Sequence, residues 1–522
     1  MTQDLTPVLI GVGEASERID AADYKALSPA DLAALAAKAA LEDAGPVAAL
    51  TREIDVIAAI RQFEVSGPGF AAPFGCSNNF PRSVADRLGA DPARAIWEPV
   101  GGQGPQHLVN EFAHGIARGE TNMALFVGSE AISTVRHLSG QGDKRDWSET
   151  VEGSLEDRGL GLEGLLTSEL ARHGARTPIH LYALFENARR GRLGQTRAAY
   201  RAAMGVLFAP FTQVAAHNPH AMAPEALSAD EIAEITPRNR IVADPFPRRV
   251  IARDQANQGA AVLMTSVATA TRLGVPKDRF IYLYGGADVA ERTPIERLDL
   301  SQSPASVLAA QAALSAAKMA LSDIDLFDFY SCFPIAVFNM LDGLGMAADD
   351  PRPLTMTGGL PFFGGAGNNY SMHAIASMIL ALREQPDATG FVGANGGFLS
   401  KYSVGIYGAA PRPFAPFSSK ALQATVNGWD KPALAEAGDG AVETYTIDYA
   451  GKAPVATVVA RNASGARFVA QTDLEAPALA ERMAAEEPMG GRIHATLNDK
   501  GRAIIDRFEA GALPSGQAAA AG

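Results

Sequence analysis

The length, composition and charge of the chain place it among multidomain globular proteins. A chain of 522 residues is too long for one core, and at about 150 residues per domain we expect roughly three units. Hydrophobic residues make up 47% and charged residues 20% of the chain, which is ordinary for a folded protein and excludes general disorder. A formal net charge of −13 repels phosphate backbones and anionic lipids, so we expect neither nucleic acid nor a membrane surface as the main partner.

Cysteine content and hydropathy predict a soluble, cytoplasmic protein. The two cysteines, Cys76 and Cys332, are too few for a disulfide framework. No charged start followed by an apolar run marks a signal peptide. No segment reaches the roughly 18 apolar residues that span a bilayer, so no membrane insertion is expected.

The predicted elements occur twice in the same order along the chain. Each half opens with a Ser-Pro cap that starts an Ala-rich helix, and an apolar strand follows the helix. The matching segments are Leu27–Leu41 with Ile54–Ile60, and Gln302–Leu321 with Ile324–Tyr330. The repeated order predicts a duplication, which has to be recognised before any single motif is interpreted.

A glycine-rich turn then opens a further helix in each half. Gly101-Gly102-Gln103-Gly104 precedes a helix and the strand Met123–Gly128, and Gly364-Gly365-Ala366-Gly367 precedes a helix through Arg383 and the strand Gly390–Gly393. Chance similarity between Ala-rich helices is the alternative explanation, and the repeated turns weigh against it. Strands that alternate with helices in two copies predict an α/β fold with two helix-covered sheets.

Changes in composition along the chain divide it into four segments. The insertion in the first half contains the predicted helix Ile179–Arg190, and the small β-domain contains three strands with alternating apolar residues. The segments are an N-terminal half (1–265) with an insertion at about 133–247, a C-terminal half (266–412), a β-domain (417–510) and a low-complexity tail (513–522). The predicted β-domain strands are Glu443–Tyr449, Val455–Arg461 and Arg467–Thr472.

The two glycine-rich turns are the candidate binding elements. Backbone N–H groups at a helix N-terminus favour an anion or a developing oxyanion, and the two turns should converge if the halves face each other. The candidate binding glycines are Gly102, Gly104, Gly365 and Gly367. Asn368, Asn369 and Tyr370 follow the second turn, where adjacent amides can donate to a bound carbonyl. Helix capping is the alternative role for these two asparagines.

Tyr330 and Cys332 are the candidate reactive side chains. They end an apolar strand just before Pro334 begins a predicted helix. A thiol at a helix N-terminus has a lowered pKa and is more nucleophilic, and a tyrosine hydroxyl can donate or accept a proton. Packing, with one hydrogen bond for the tyrosine, is the alternative role for both residues.

The histidines predict no metal site. His217 and His220 lie close together, but no cysteine or carboxylate stands at ligand spacing around them. The isolated His107, His114 and His373 fall within predicted helices, where a structural role is the more frequent one. We therefore expect no bound metal.

Over about residues 6–410 the chain resembles the thiolase superfamily, and it is most similar to thiolase-like proteins type 1. Four passages carry this resemblance through their combination and their order. The passages are Val100–Gln106, Ala252–Ala261, Tyr330–Phe333 and Gly358–Tyr370. The resemblance implies a duplicated thiolase fold of two βαβαβαββ halves, arranged as five αβαβα layers. It also implies an additional small OB-like, barrel-like domain at the C-terminus.

The resemblance further implies chemistry on coenzyme A thioesters without the usual nucleophile. Active thiolases acylate a cysteine at a helix start, where this chain has the Gly102–Gly104 turn, and Gly364-Gly365-Ala366 replaces the histidine of the GHP motif. Cys332 matches the cysteine of the HDCF motif, an acid/base in sterol-carrier-linked thiolases. Tyr330 replaces the histidine of that motif, as in some thiolase-fold aldolases. A coenzyme A thioester is the expected substrate or ligand, and no covalently bound cofactor is expected.

Three hypotheses for function follow from these features. The leading one is an acyl-CoA-binding acyltransferase or carbon–carbon bond enzyme of lipid metabolism; the others are a retro-aldol lyase on 3-hydroxyacyl-CoA and a non-catalytic acyl-CoA-binding protein. The predicted catalytic residues are Tyr330, Cys332, Asn368 and Tyr370, and the predicted binding residues are the four glycines and Asn369. We expect a monomer or a homodimer, with the β-domain either covering the pocket or replacing a partner subunit.

Overall fold

A computed structural model describes residues 4–67, 69–347 and 350–512 of the chain. The predicted tail, 513–522, lies outside the described residues. The first half consists of strands and helices that alternate along the chain. They are β1 (Pro7–Ser16), α1 (Pro29–Ala44), α2 (Val47–Glu53), β2 (Val56–Ile60), α3 (Phe80–Leu88), β3 (Arg94–Glu98), α4 (Gly104–Ala117) and β4 (Met123–Ala131).

The first predicted helix forms where its cap places it. The Asp31 N–H donates to Ser28 Oγ at 3.1 Å, and the Asp31 carboxylate accepts from the Ser28 backbone in return, which makes a capping box. The alanine face of α1 packs directly on β1, where a Cβ at Gly13 would overlap the backbone of α1. Glycine is therefore required at this close approach.

The insertion between β4 and the last strand of the first half is mostly helical. It contains α5 (Ile132–Gly140), β5 (Glu156–Asp157), α6 (Ser168–Arg172), α7 (Pro178–Arg192), α8 (Arg197–His217), α9 (Ala229–Ala233), β6 (Ile241–Ala243) and β7 (Phe246–Pro247). The first half then closes with β8 (Asn257–Ser266) and α10 (Val267–Leu273). The short β5 pairs in parallel with β3 and covers that edge of the sheet.

The second half repeats the first, with differences in its helix ends. It contains β9 (Ile281–Ala290), α11 (Pro304–Ala317), β10 (Leu326–Phe329), α12 (Pro334–Leu344), α13 (Tyr370–Glu384), β11 (Thr389–Gly396) and β12 (Lys401–Gly408). The expected equivalence of the two caps was wrong, because Ser303 makes no side-chain cap on α11. The helix also ends before Leu321, since Lys318 adopts a left-handed φ of 54°.

The strand order of the large sheet confirms the predicted duplication. The order β2-β4-β8-β1 of the first half matches β10-β11-β12-β9 of the second within a continuous ten-stranded sheet. A short antiparallel pairing of Val8 with Tyr282 and Leu9 with Ile281 joins the two halves. The helices α4 and α13 contact strands of both halves, while α1 packs on strands of the first half and α11 on strands of the second. This arrangement confirms the predicted thiolase fold.

The C-terminal segment forms a closed five-stranded barrel. It follows α14 (Lys420–Asn427) and contains β13 (Gly438–Asp448), β14 (Val455–Arg461), β15 (Arg467–Gln471), α15 (Ala478–Ala485), β16 (Arg492–Leu497) and β17 (Ala503–Glu509). Pairing runs β13-β14-β15-β17-β16 and returns to β13, so the sheet closes on itself. The predicted small β-barrel-like domain is thereby confirmed. Sequence analysis missed β16 and β17, because each buries only two or three side chains.

Buried charges fix the barrel against the insertion. Arg190 of α7 is fully buried, and it donates to Glu487 Oε1 at 2.8 Å and to the Tyr445 hydroxyl at 3.1 Å. Ala243 of β6 pairs with Asp448 of β13 and adds the insertion to the barrel sheet. No helix within residues 4–67, 69–347 and 350–512 has the length and hydropathy needed to cross a membrane.

Candidate functional site

The two glycine-rich turns lie side by side, as the duplication predicts. The Gly101 N–H donates to Asn368 Oδ1 at 3.0 Å, and Ser371 Oγ donates to the Gly102 carbonyl at 2.6 Å. The Asn368 amide nitrogen donates to the Arg61 carbonyl at 2.7 Å and to Ser66 Oγ at 3.3 Å. Asn368 therefore ties the turns together. The sequence suggested that it donates to a bound carbonyl, but both of its N–H groups have partners in the protein.

Position 102 of the first turn has no room for a side chain. A Cβ at Gly102 would lie 2.6 Å from the Asn395 carbonyl oxygen and 2.7 Å from Tyr330 Cε2, and closer still to the Tyr330 hydroxyl. Gly101 has a φ of 150°, and a Cβ there would overlap the Gln103 side-chain amide. Packing therefore excludes a nucleophile at position 102, whereas position 103 carries a glutamine and a Cβ at Gly104 would lie 3.2 Å from Ile60 Cδ1.

Only one of the four candidate binding glycines has an unpaired N–H. Gly104 donates to the Gly101 carbonyl at 3.0 Å, Gly365 donates to the Arg253 carbonyl at 2.8 Å, and Gly367 donates to the Gly365 carbonyl at 2.7 Å. The Gly102 N–H donates to no group within the described part of the chain. A carbonyl oxygen could accept from it, because an unpaired N–H at a helix start is a good donor to a partial negative charge.

The Tyr330 hydroxyl lies against Gly102, where it would overlap a Cβ. Its ring lies edge-on to Tyr370, with centroids 5.3 Å apart, and its backbone N–H donates to the Gly393 carbonyl at 3.0 Å. The hydroxyl makes no hydrogen bond with the described residues, and the side chain lines a cavity of about 20 Å³. That volume holds one water molecule. Burial raises the pKa of Tyr330 far above its usual range, so the hydroxyl is a donor at neutral pH.

Cys332 lies at the start of α12, as predicted, but its thiol is not activated. The side chain is 7% exposed, and its Sγ lies 3.9 Å from the Asn395 amide nitrogen. Burial raises the pKa of the thiol to about 12, against a smaller lowering by Tyr182 and Asn395. The expected lowering of the thiol pKa by the helix N-terminus was wrong. The thiolate loses more free energy when burial removes it from water than it gains from the helix N-terminus.

The α12 N-terminus is also occupied by a carboxyl group. Glu186 of α7 is fully buried, and its Oε2 accepts from the Ile335 N–H at 2.8 Å. Its other oxygen accepts from the Tyr200 hydroxyl at 2.5 Å, and burial raises the pKa of Glu186 to about 8. Part of the anion-binding capacity of this helix end is therefore used within the protein.

Tyr370 and Asn369 have partners inside the protein. The Tyr370 hydroxyl is 2.6 Å from Thr357 Oγ1 and 3.5 Å from Asp328 Oδ1, and its side chain is fully buried. Asn369 donates to the Gly128 carbonyl at 2.8 Å. These contacts anchor the second turn to the strands and leave the Tyr370 hydroxyl and the Asn369 amide nitrogen engaged within the core.

Asn395 and Tyr182 are site residues that sequence analysis did not identify. Asn395 lies at the end of β11, and its amide nitrogen donates to the Tyr182 hydroxyl at 2.8 Å. Tyr182 comes from α7 and stacks on Phe333, with ring centroids 4.5 Å apart. The sequence contains one signal for Asn395, because this residue precedes Gly396-Gly397, a third glycine turn that follows a strand. Nothing in the sequence marks Tyr182, since it reaches the site from the insertion.

Two exposed arginines, Arg248 and Arg253, lie in the segment before β8, and Arg253 is next to the second turn. The Ala252 N–H donates to the Cys332 carbonyl at 3.0 Å, and the Gly365 N–H donates to the Arg253 carbonyl at 2.8 Å, so this segment borders both candidate sites. Arg248 and Arg253 form no salt bridge with the described residues. Partial burial and the charge of Arg248 lower the pKa of Arg253. The pair offers positive charge for an anion in an acidic chain.

No group of three or more His, Cys, Asp or Glu side chains within the described ranges could hold a metal ion. The predicted pair His217 and His220 makes separate hydrogen bonds. His217 Nδ1 lies 2.8 Å from the Gln213 carbonyl, and His220 Nδ1 lies 3.0 Å from Ser16 Oγ.

Comparisons with solved structures identify relatives over nearly the whole chain. A monomeric SCP2-thiolase-like protein type 1 from Mycobacterium smegmatis is 41% identical, with a TM-score of 0.83, over 97% of this chain and 99% of that one. The Ltp2-ChsH2(DUF35) aldolase is 18% identical, with a TM-score of 0.56, over 78% of this chain and 98% of that one. An acetyl-CoA acetyltransferase from Syntrophomonas wolfei is 16% identical, with a TM-score of 0.53, over 78% and 100%. The last two similarities concern the fold alone.

The C-terminal segment has a match of its own. A family model described as the additional C-terminal domain of thiolase-like protein type 1 matches residues 421–500, which cover α14 and most of the barrel. None of the curated proteins matches the sequence. The 41% identity over nearly the full length, together with this domain, confirms the resemblance seen in the sequence. The chain belongs to the SCP2-thiolase-like protein type 1 family.

Proposed function

We propose that this protein binds a coenzyme A thioester without forming an acyl-enzyme. The observation that carries the proposal is the contact between Gly102 and the Tyr330 hydroxyl, because it fills the space of a nucleophile and leaves two hydrogen-bond donors. The Gly102 N–H and the Tyr330 hydroxyl can both donate to one carbonyl oxygen. The ligand's thioester carbonyl is assigned to these donors.

The packing at position 102, together with the protonation of Tyr330 and Cys332, supports binding among the three hypotheses. An acyl transfer needs a nucleophile, and a retro-aldol cleavage needs a base that removes the proton of the 3-hydroxyl group. Burial raises the pKa of both Tyr330 and Cys332, the latter to about 12, so neither residue is deprotonated at neutral pH. Both side chains can donate a hydrogen bond, and neither is suited to accept a proton.

Arg248 and Arg253 are the proposed contacts for the phosphates of coenzyme A. Both are exposed, and the backbone of Ala252 and Arg253 is bonded to Cys332 and Gly365. A guanidinium group binds phosphate oxygens in a bidentate manner, and its charge persists at all physiological pH values. The phosphates would therefore lie at the insertion while the thioester reaches the first turn.

Binding of the thioester requires a local opening. The cavity beside Tyr330 has about 20 Å³ and accommodates a water molecule or a carbonyl oxygen, but not an acyl chain. Met340 and Tyr402 also line it, so rotation of these side chains is the smallest change that admits a ligand. Side-chain changes of this kind are common on binding.

Calorimetric titration tests the proposal. Acetyl-CoA and octanoyl-CoA should bind the wild-type protein, and octanoyl-pantetheine, which lacks the nucleotide phosphates, should bind more weakly. Arg248→Gln with Arg253→Gln should weaken binding of the CoA esters by about a hundredfold, as expected for two charged hydrogen-bond donors. Arg240→Gln is the matched control, since Arg240 belongs to the same segment and donates only to the adjacent Ile241 carbonyl. Equal binding by all variants, or no binding by the wild type, would reject the proposal.

We propose that the protein acts as a monomer. The edge strand β3 is already paired with β5 of the same chain, so this edge of the large sheet is not open to a second copy. The relative from Mycobacterium smegmatis is described as monomeric. A mass measurement by light scattering would test this, and a dimer mass would contradict it.

A further inference from the structure

A large cleft lies next to Gln103 of the first turn. Its volume is about 850 Å³, which is within the range of small-molecule sites. The cleft is bounded by the end of β3, the start of α4, the end of β9, the start of β12 and the segment 158–163. Gln103 lines it, and Tyr402 lines both this cleft and the small cavity beside Tyr330. Tyr402 is the one lining residue that the two spaces share, so they are neighbouring but distinct.

His107 presents a free hydrogen-bond donor to this cleft. Its Nδ1 lies 3.2 Å from Asp288 Oδ1, and the same carboxylate oxygen accepts from Ser403 Oγ at 2.6 Å. Its Nε2 is 4.0 Å from Glu98 and 3.8 Å from Glu111, which is beyond hydrogen-bond distance. Asp288 stabilises the imidazolium form, so both ring nitrogens carry protons and Nε2–H lacks an acceptor.

Arg158 offsets part of the negative charge of the carboxylates around His107. Arg158 donates to Glu98 at 3.0 Å and to both oxygens of Glu111 at 2.7 Å. Glu98 and Glu111, the two carboxylates near Nε2, are thus both hydrogen-bonded to the guanidinium group of Arg158. Glu163 also lines the cleft, but its side chain is exposed to solvent, where water and salt screen its charge.

Lys401 supplies a second positive charge. Its Nζ donates to the Val100 carbonyl at 2.9 Å and to the Gly161 carbonyl at 2.7 Å, and it forms no salt bridge with a described carboxylate. An ammonium group carries three N–H donors, so one remains for a ligand. Burial lowers the pKa of Lys401, and a bound anion would favour its charged form.

Apolar residues form another part of the cleft wall. They include Pro99, Leu160, Leu162, Val289 and the ring of Tyr402. We propose that the cleft binds a carboxylate carried on an apolar body, such as a medium-chain monocarboxylic acid, with the carboxylate at His107 and Lys401. The amide group of Gln103 provides a further polar contact at the end next to the first turn.

Calorimetric titration with octanoate, 1-octanol and octylamine at neutral pH tests this site, because the three share one apolar body. Octanoate should bind, and the alcohol and the amine should bind at least about tenfold more weakly. Lys401→Met and His107→Gln should each weaken octanoate binding by about tenfold. Lys431→Met and His494→Gln are the matched controls, because each changes the same residue type, paired with Glu296 or Asp506, outside the cleft. Equal affinity for all three compounds would overturn the proposal.

A crystal soaked with 8-bromooctanoate provides a test that needs no variant. The proposal predicts anomalous bromine density against the apolar wall, with the carboxylate within hydrogen-bond distance of His107 Nε2 and Lys401 Nζ. Density only beside Tyr330, only at the molecular surface, or nowhere would overturn it. This test also covers the case in which Lys401→Met fails to fold because two backbone carbonyls lose their donor.

Discussion

The Tyr330 hydroxyl occupies the space that a side chain at position 102 would need. The two residues come from opposite halves of the duplication, and they meet where the glycine-rich turn begins α4. The Asn395 carbonyl closes the same space from another direction. Because two other segments fill this position, the absence of a side chain at position 102 is part of the packing and not an isolated substitution.

This packing predicts that a cysteine cannot simply be restored. Gly102→Cys should lower the free energy of unfolding by about 1–3 kcal/mol, the usual cost of overpacking. Adding Tyr330→Ala should return part of that loss, because it removes the overlapping ring. Urea unfolding of both single variants and the double variant gives the coupling energy. Additive effects of the two substitutions would contradict the proposed overlap.

The two cysteines should differ strongly in reactivity. Cys76 is exposed and Cys332 is buried, and the pKa of Cys332 is raised to about 12. At pH 8 only about one in ten thousand Cys332 thiols would be ionised. Mass spectrometry after treatment with iodoacetamide should find the label on Cys76 in the native protein, and on both residues in denaturant. Rapid native labelling of Cys332 would show that its thiol is activated after all.

His107 should titrate well above neutrality. Burial alone would lower its pKa, but the hydrogen bond to Asp288 and the charges of Asp288, Glu98 and Glu111 outweigh burial and raise the pKa of His107 to about 9. Since the folded pKa exceeds the unfolded value of about 6.5, its contribution to stability is complete below pH 6.5. That contribution is lost as the pH rises through 9.

The difference in stability between the wild type and His107→Gln measures this contribution. It should be constant below pH 6.5 and should shrink between pH 6.5 and about 9, as read from urea unfolding at several pH values. His494→Gln serves as the control for a histidine outside the cleft. A difference that grows over the same range would mean that the pKa of His107 is lowered.

The barrel should depend on Arg190 for its attachment. This fully buried guanidinium binds Glu487 and Tyr445 of the barrel. Arg190→Met should cost about 3–5 kcal/mol of unfolding free energy, because it leaves a partly buried carboxylate without its partner. Arg482→Met, which breaks an exposed pair with Glu486, should cost less than about 1 kcal/mol. Equal small losses would show that the barrel does not rely on this ion pair.

The sequence predicted those features of the fold that depend on local chemistry. Ser28 caps its helix as expected, and the two glycine turns converge as the duplication implies. The match of Ser303 to Ser28 was wrong because a cap depends on the local backbone, which the residue type does not determine. The strands β16 and β17 were missed because short strands with few buried positions carry a weak alternation of apolar residues.

The sequence predicted that the two glycine-rich turns lie together, but it did not predict the ionisation state of Tyr330 and Cys332. Tyr330 lies beside the first turn and Cys332 lies near Asn395, and nothing in the sequence indicates that burial suppresses their ionisation. That burial comes from Tyr182 of the insertion and from Asn395 of another strand. Contacts between segments so distant in sequence leave no local pattern, so a pKa that depends on them follows only from the folded structure.

A crystal structure of the protein with octanoyl-CoA tests the central proposal most directly. We predict an intact thioester whose carbonyl oxygen lies within hydrogen-bond distance of the Gly102 N–H and the Tyr330 hydroxyl, with phosphates at Arg248 and Arg253. An octanoyl group covalently attached to Cys332, or an occupied ligand whose phosphates and thioester lie elsewhere, would contradict it.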